Sequence, residues 1–116
     1  MSGTAAVRYH DGTAVVDLPP QIDSTAEAAL NDAYAAAGAH GATRVLLNFS
    51  GVEFLSSTGI ALIVGVLARA RADGRAMSAS GLSDHYREIF EITRLSDFMT
   101  IFPNETAAFD RENGGA

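Results

Sequence analysis

The chain has no cysteine, which removes disulfides, thiol chemistry and cysteine-based zinc sites and fits a reducing compartment. It has no lysine either. Its positive residues are eight arginines against 14 acidic residues, a formal net charge of −6. That balance argues against a nucleic-acid partner, because phosphate backbones demand clustered positive charge. The acidic residues are scattered rather than gathered into a tail. Long hydrophobic runs are missing too: the longest apolar stretch, residues 60–68, falls far short of the roughly 20 residues that span a bilayer, so no membrane span is expected. Residues 1–12 lack the charged and then apolar run of a signal peptide. A soluble cytoplasmic protein is the expectation. Glycine is plentiful, with 11 residues, but neither the dinucleotide nor the P-loop spacing occurs, and Gly-x-Ser-x-Gly is absent. The three histidines, His10, His40 and His85, have no partner two or four residues away, so neither a metal site nor a cofactor is expected. There is no internal repeat and no low-complexity segment.

What is present reads as one domain of 116 residues, long enough to bury roughly 65% of its unfolded surface without staples. Two β-rich runs flank His10-Asp11-Gly12-Thr13, and an Asp-Gly between such runs signals a hairpin. Pro19-Pro20 closes the second run. Asp23 and Ser24 then open an alanine-rich helix, with Ser24 and Glu27 spaced as a capping box and Gly38 or Gly41 as its end. Residues 44–49 are apolar on both faces, as a strand covered by helices would be. A second helix is predicted over residues 58–73, a weaker small-residue strand over 76–80, and a third helix capped by Ser83. A short extended segment follows at 99–102, then a last helix around 106–109. The domain is placed at residues 3–110, with 111–116 a frayed tail. Alternation after the hairpin implies parallel crossovers: an α/β fold with a mixed β-sheet of about four to five strands and helices packed on it.

The most informative stretch is Phe54-Leu55-Ser56-Ser57-Thr58-Gly59-Ile60. It sets three hydroxyl side chains where a strand-like run ends and an apolar helix begins. Ile60, Ile63, Val64 and Leu67 recur at the spacing of one helix face. A serine at that junction lies in the field of a helix N-terminus, where free N–H groups favour an oxygen or a negative charge. It can cap the helix, or it can accept a phosphate and hold it. Leu62 and Val66 lie on the other side of the helix, as extra core or as an apolar patch for a partner. No histidine stands near the hydroxyls in sequence to activate a nucleophile, and no catalytic residue is assigned.

The chain resembles the STAS domain family, in particular the stand-alone bacterial anti-sigma factor antagonists, over nearly its whole length. Three segments carry the resemblance, in order and on the same succession of elements: Pro20-Gln21-Ile22-Asp23, Ser56-Ser57-Thr58-Gly59-Ile60 and Thr93-Arg94-Leu95. The resemblance implies a STAS-like fold and a regulatory binding protein rather than an enzyme. It makes Ser57 the residue phosphorylated by a GHKL-type serine kinase that is also the anti-sigma factor, with Thr58 the lesser candidate. A PP2C-type phosphatase would reset the switch, and the unphosphorylated form would free a sigma factor. Asp23, Ser56, Gly59, Leu62 and Val66 are the expected partner-binding residues, Gly59 by letting a partner backbone approach closely. Two positions depart from the family pattern. Ser56 replaces the usual aspartate before the phosphorylated serine, and Arg94 replaces the usual glycine of Thr-Gly-Leu. The alternative reading is a STAS docking module in another bacterial signalling or lipid-transport assembly. A small enzyme or nucleotide binder is a third, which the missing motifs disfavour.

Overall fold

A computed structural model describes residues 5–114, and for residues 110–114 the backbone alone. The hairpin forms as its turn chemistry dictates. Strands β1 (Ala6–His10) and β2 (Thr13–Asp17) pair antiparallel around Asp11 and Gly12, both at positive φ. Two such residues in succession make the turn whose twist matches the flanking strands. After β2 the chain makes a two-residue strand, β3 (Gln21–Ile22), a 3-10 turn (Ser24–Ala26) and helix α1 (Glu27–Ala39). Strand β4 (Arg44–Asn48) then pairs parallel to β2.

A second short strand, β5 (Phe54–Leu55), pairs parallel with β3 and leads directly into helix α2 (Ser57–Ala72). Strand β6 (Ala76–Ser80), helix α3 (Asp84–Ile92), a 3-10 turn (Leu95–Asp97), strand β7 (Thr100–Phe102) and helix α4 (Glu105–Gly114) complete the succession. The main sheet has five strands in the order β1-β2-β4-β6-β7, all parallel except β1. The α/β fold with a mixed sheet is therefore as expected. The small-residue strand is a full member, paired on both sides.

One face of the sheet carries the larger core. Ala14, Val16, Val45, Leu47 and Ala79 meet Leu30 and Tyr34 of α1, Ile63 and Leu67 of α2, and Phe90 of α3. The other face holds Val15, Leu46 and Phe102 under Ala108 of α4. Its edge is tied by charge. Arg8 makes a two-pronged contact with Asp17, at 2.6 and 2.8 Å, and a second with Glu105 of α4, at 2.7 and 3.0 Å. The Arg8 guanidinium, with help from the Asn48 amide, holds the Asp17 carboxyl below the usual carboxylate range.

Two local expectations change. The capping box does not form: Asp23, not Ser24, caps the 3-10 turn, and α1 starts after Ala26 without a side-chain cap. The interposed turn moves Ser24 out of the position from which it could cap α1. The last helix extends well past 106–109, to Gly114. Residues 115–116 of the expected tail lie outside the described residues. Among the described residues no helix is long and apolar enough to cross a membrane.

Candidate functional site

The β3–β5 ribbon positions the hydroxyl cluster. Its two strands run parallel in register, Gln21 against Phe54 and Ile22 against Leu55, and each ends in a helical turn. The Ser56 N–H donates to the Ile22 carbonyl at 3.0 Å, which carries the pairing one residue past the strands. Ser56, in extended conformation, is the N-cap of α2: its Oγ accepts from the Gly59 N–H at 2.9 Å and donates to the Ile22 carbonyl at 3.3 Å. A cap side chain that satisfies one orphan donor in this way contributes about 1 kcal/mol. Helix α2 thus begins at Ser57.

Gly59 is buried against β3, and a Cβ at this position would collide with the Ile22 carbonyl. The glycine is needed for the helix to meet its own ribbon. That corrects the expectation that Gly59 makes room for a partner's backbone. Ser57 and Thr58 are both exposed, and their hydroxyls make no hydrogen bond among the described residues. Their backbone N–H groups belong to the first turn, where no intrahelical acceptor exists. Of the three hydroxyls, the first is spent on capping and the next two are free.

Asp23 lies beside Ser56, each being the residue that follows its ribbon strand. Its carboxylate accepts from the Thr25 hydroxyl and from the Thr25 N–H at 2.9 Å, and these bonds hold it below the usual carboxylate range. Behind the ribbon, the Tyr86 hydroxyl of α3 accepts from the Leu55 N–H at 3.0 Å and locks α3 to the junction. No group of three or more metal-ligating side chains occurs among the described residues. His40 stacks on Tyr9, His10 packs edge-on to Phe109, and His85 lies against Tyr86.

The two faces of α2 differ from the expected ones. The buried stripe is Gly59, Ile63, Val66, Leu67 and Ala70. Val66 is a core residue at 4% exposure, not part of a partner patch, and Leu62 is half-buried against the core. Val64, which the periodicity put inside, is 44% exposed. The cause is Gly59: the face without a Cβ turns onto the ribbon, and that contact fixes the rotation of the whole helix. Ser57, Ala61, Val64 and Ala68 therefore share the outward face, at i, i+4, i+7 and i+11. Phe54, 49% exposed, stands on β5 just before the hydroxyls. Neither exposure was expected from the period that starts at Ile60; the same period extended from Ser57 places Val64 on the outward face.

Arg94 adopts a left-handed conformation, φ 68 and ψ 14, and its Nε pairs with Asp97 at 2.7 Å. Only glycine enters that region without steric cost, which explains why glycine suits this position.

A five-stranded mixed sheet, with a short parallel ribbon that leads two exposed, unbonded hydroxyls to the start of α2, defines a small α/β domain. A family model described as "Mlab, STAS domain" matches residues 5–101, and the chain belongs to the STAS domain family. The chain is similar to the anti-sigma-F factor antagonist RsfB of Mycobacterium tuberculosis, 30% identical over 96 residues that cover 72% of this chain and 79% of that protein. It is also similar to the anti-sigma-B factor antagonist of Staphylococcus aureus, 33% identical over 61 residues, 53% of this chain. That match spans little more than half, 56%, of the Staphylococcus protein's length. In fold it matches SpoIIAA, the Bacillus cell fate determinant, in its phosphorylated form, with a TM-score of 0.73, 23% identity, and 95% and 100% of the two chains covered.

Proposed function

We propose that this protein is an anti-sigma factor antagonist, switched by phosphorylation of Ser57. The observation that carries the reading is the division of labour at the start of α2. Ser56 caps the helix and is occupied, whereas Ser57 is exposed, unbonded and beside free N–H donors. Phosphate on Ser57 would add nearly two negative charges where the helix dipole tolerates them, so the fold need not melt. The same charges would repel a closely packed or acidic partner surface. The unphosphorylated outward face of α2, Ser57 with Val64 and the flanking Phe54, is the surface on which the partner would sit. Two antagonists among the relatives support this class, and SpoIIAA keeps a fold similar to this one in phosphorylated and unphosphorylated forms alike, with TM-scores of 0.73 and 0.75. The partner would be an anti-sigma factor that is itself a GHKL-type serine kinase, with a PP2C-type phosphatase for the reverse step. In this role the protein binds and is modified; it catalyses nothing.

Incubation with a GHKL-type kinase recovered from the same organism by binding to the unphosphorylated protein, followed by mass mapping, tests the reading. One phosphate on Ser57, abolished in Ser57→Ala, is expected; modification of another residue in both proteins contradicts it. The second reading, a docking module in another signalling or lipid-transport assembly, draws on the wording of the family model, which names MlaB rather than an antagonist. In that case no kinase would modify Ser57, and partner binding would be the same in Ser57→Ala and Ser57→Asp.

A further inference from the structure

A cleft of about 710 Å³ opens between the C-terminal half of α2, α3 and the β7 edge of the sheet, within the size range of small-ligand sites. Arg71, at its rim, lies fourteen residues along α2 from Ser57, about 21 Å at the helical rise. The cleft is therefore separate from the hydroxyl site.

Its floor is apolar. Leu67, Met77 and Met99 are each buried to within 6% exposure, and Ile101 is half-buried beside them. Methionine side chains are unbranched and polarizable, so a floor built on two of them adapts to the shape of an apolar guest. The rim is cationic in a chain that is otherwise acidic: three of the eight arginines, Arg71, Arg75 and Arg87, line this one cleft. They are not equally available. Arg75 is committed, donating to the Ala42 carbonyl, the Tyr34 hydroxyl and Asp73. Among the described residues Arg87 holds only Asp84, a carboxylate 97% exposed, and such surface pairs contribute little. Arg71 makes no hydrogen bond or ion pair among the described residues; its guanidinium lies 5.2 Å from the centre of the Phe98 ring. Phe98 is itself 51% exposed. A cation–π contact leaves the donors of the guanidinium fork to water or to a ligand. Of the two acidic residues at the rim, Asp97 is taken by Arg94, while Glu91 has no partner among the described residues.

We propose that this cleft binds a small amphiphilic anion, an apolar chain or ring bearing one carboxylate or phosphate. The apolar body would lie on the methionine floor and against Phe98, and the head would take the open guanidinium of Arg71 with Arg87 nearby. A planar fork suits carboxylate and phosphate alike. Glu91 opposes the head, so the two rim charges make opposite contributions to affinity.

Backbone NMR titration of the full chain tests this, with octanoate and octyl phosphate as probes and 1-octanol and inorganic phosphate as controls. Saturable shifts gathered at residues 67–77 and 96–103 are expected for the two anions, with both controls at least tenfold weaker. The tighter of the two anions identifies the head group. Arg71→Gln should weaken binding tenfold or more, and Glu91→Gln should tighten it several-fold, each with an unchanged thermal midpoint. Should Arg71→Gln fail to fold, the tightening in Glu91→Gln decides the matter alone. Absence of saturable shifts, equal binding of 1-octanol, or affinities unmoved by the folded variants would overturn the proposal.

Discussion

Ser56 and Ser57 are neighbours with different work to do. Ser56 is bonded into the cap of α2 and Ser57 is not, so their substitutions should separate. Ser56→Ala removes the acceptor for the Gly59 N–H and should cost about 1 kcal/mol in chemical denaturation. Ser57→Ala should leave stability within about 0.5 kcal/mol, as surface changes do. Ser56→Asp installs the aspartate that the family resemblance leads one to expect at this position. Aspartate caps as well as serine does, so stability should hold. The added carboxylate would stand a few ångströms from a phosphate on Ser57, and at an effective dielectric near 20 their repulsion is a few kcal/mol before salt screening. Phosphorylation kinetics should therefore change more than the affinity of the unphosphorylated form; equal kinetics in the two proteins would remove position 56 from the switch. Arg94 offers a second residue-scale measurement. Its left-handed backbone costs a non-glycine residue about 1–2 kcal/mol, of which the Asp97 pair and the greater chain entropy of glycine offset part. Arg94→Gly should stabilise the fold by about 0.5–1 kcal/mol, visible as a raised urea midpoint.

Helix α2 carries the buried stripe that holds the fold and, on the proposed reading, the face that meets the partner. Ile63→Ala and Leu67→Ala should each cost roughly 2–5 kcal/mol, because both side chains are buried. Val66→Ala should cost about 2 kcal/mol from two lost methyl groups and the space they leave. Val64→Ala should leave the denaturation midpoint nearly unmoved and weaken the partner complex. Stability effects reversed between Val64 and Val66 would refute the assignment of faces. Much of this element was legible in the sequence. Its existence and its start within one residue follow from a hydroxyl run before an apolar period. Its rotation was not legible, because Ile60, Ile63, Val64 and Leu67 fit the period as well as the real stripe does. The deciding contact lies between Gly59 and Ile22, 37 positions apart, and periodicity carries no information about it. The β3–β5 ribbon escaped for a similar reason. Two residues are too few for alternation to register, and such strands exist only because each pairs with the other. The hairpin, by contrast, was readable in full, since Asp11-Gly12 fixes its turn locally.

At the scale of the molecule, the sheet has one face closed by three helices and the other by α4 alone, fastened through Arg8. The Asp17 carboxyl in that cluster is held below its ordinary value of about 3.8 by Arg8 first, and by Asn48. A lowered folded-state value means that the unfolded chain binds more protons in acid. The stability Asp17 contributes is thus fully present above about pH 4 and is lost as pH falls through the lowered value. Urea midpoints measured from pH 7 down to pH 3 should fall for the wild type, and Asp17→Asn should start lower and fall less. A parallel decline in both would show that other carboxylates govern acid stability.

On the proposed reading, one hydroxyl at the start of α2 governs whether the protein holds its partner. The affinity of wild type, Ser57→Ala and Ser57→Asp for the GHKL-type kinase that modifies the protein, measured by titration calorimetry, tests this. Wild type and Ser57→Ala should bind alike, and Ser57→Asp at least tenfold more weakly, about 1.4 kcal/mol, with all three equally stable to heat. Binding of Ser57→Asp as tight as that of the wild type would contradict the account.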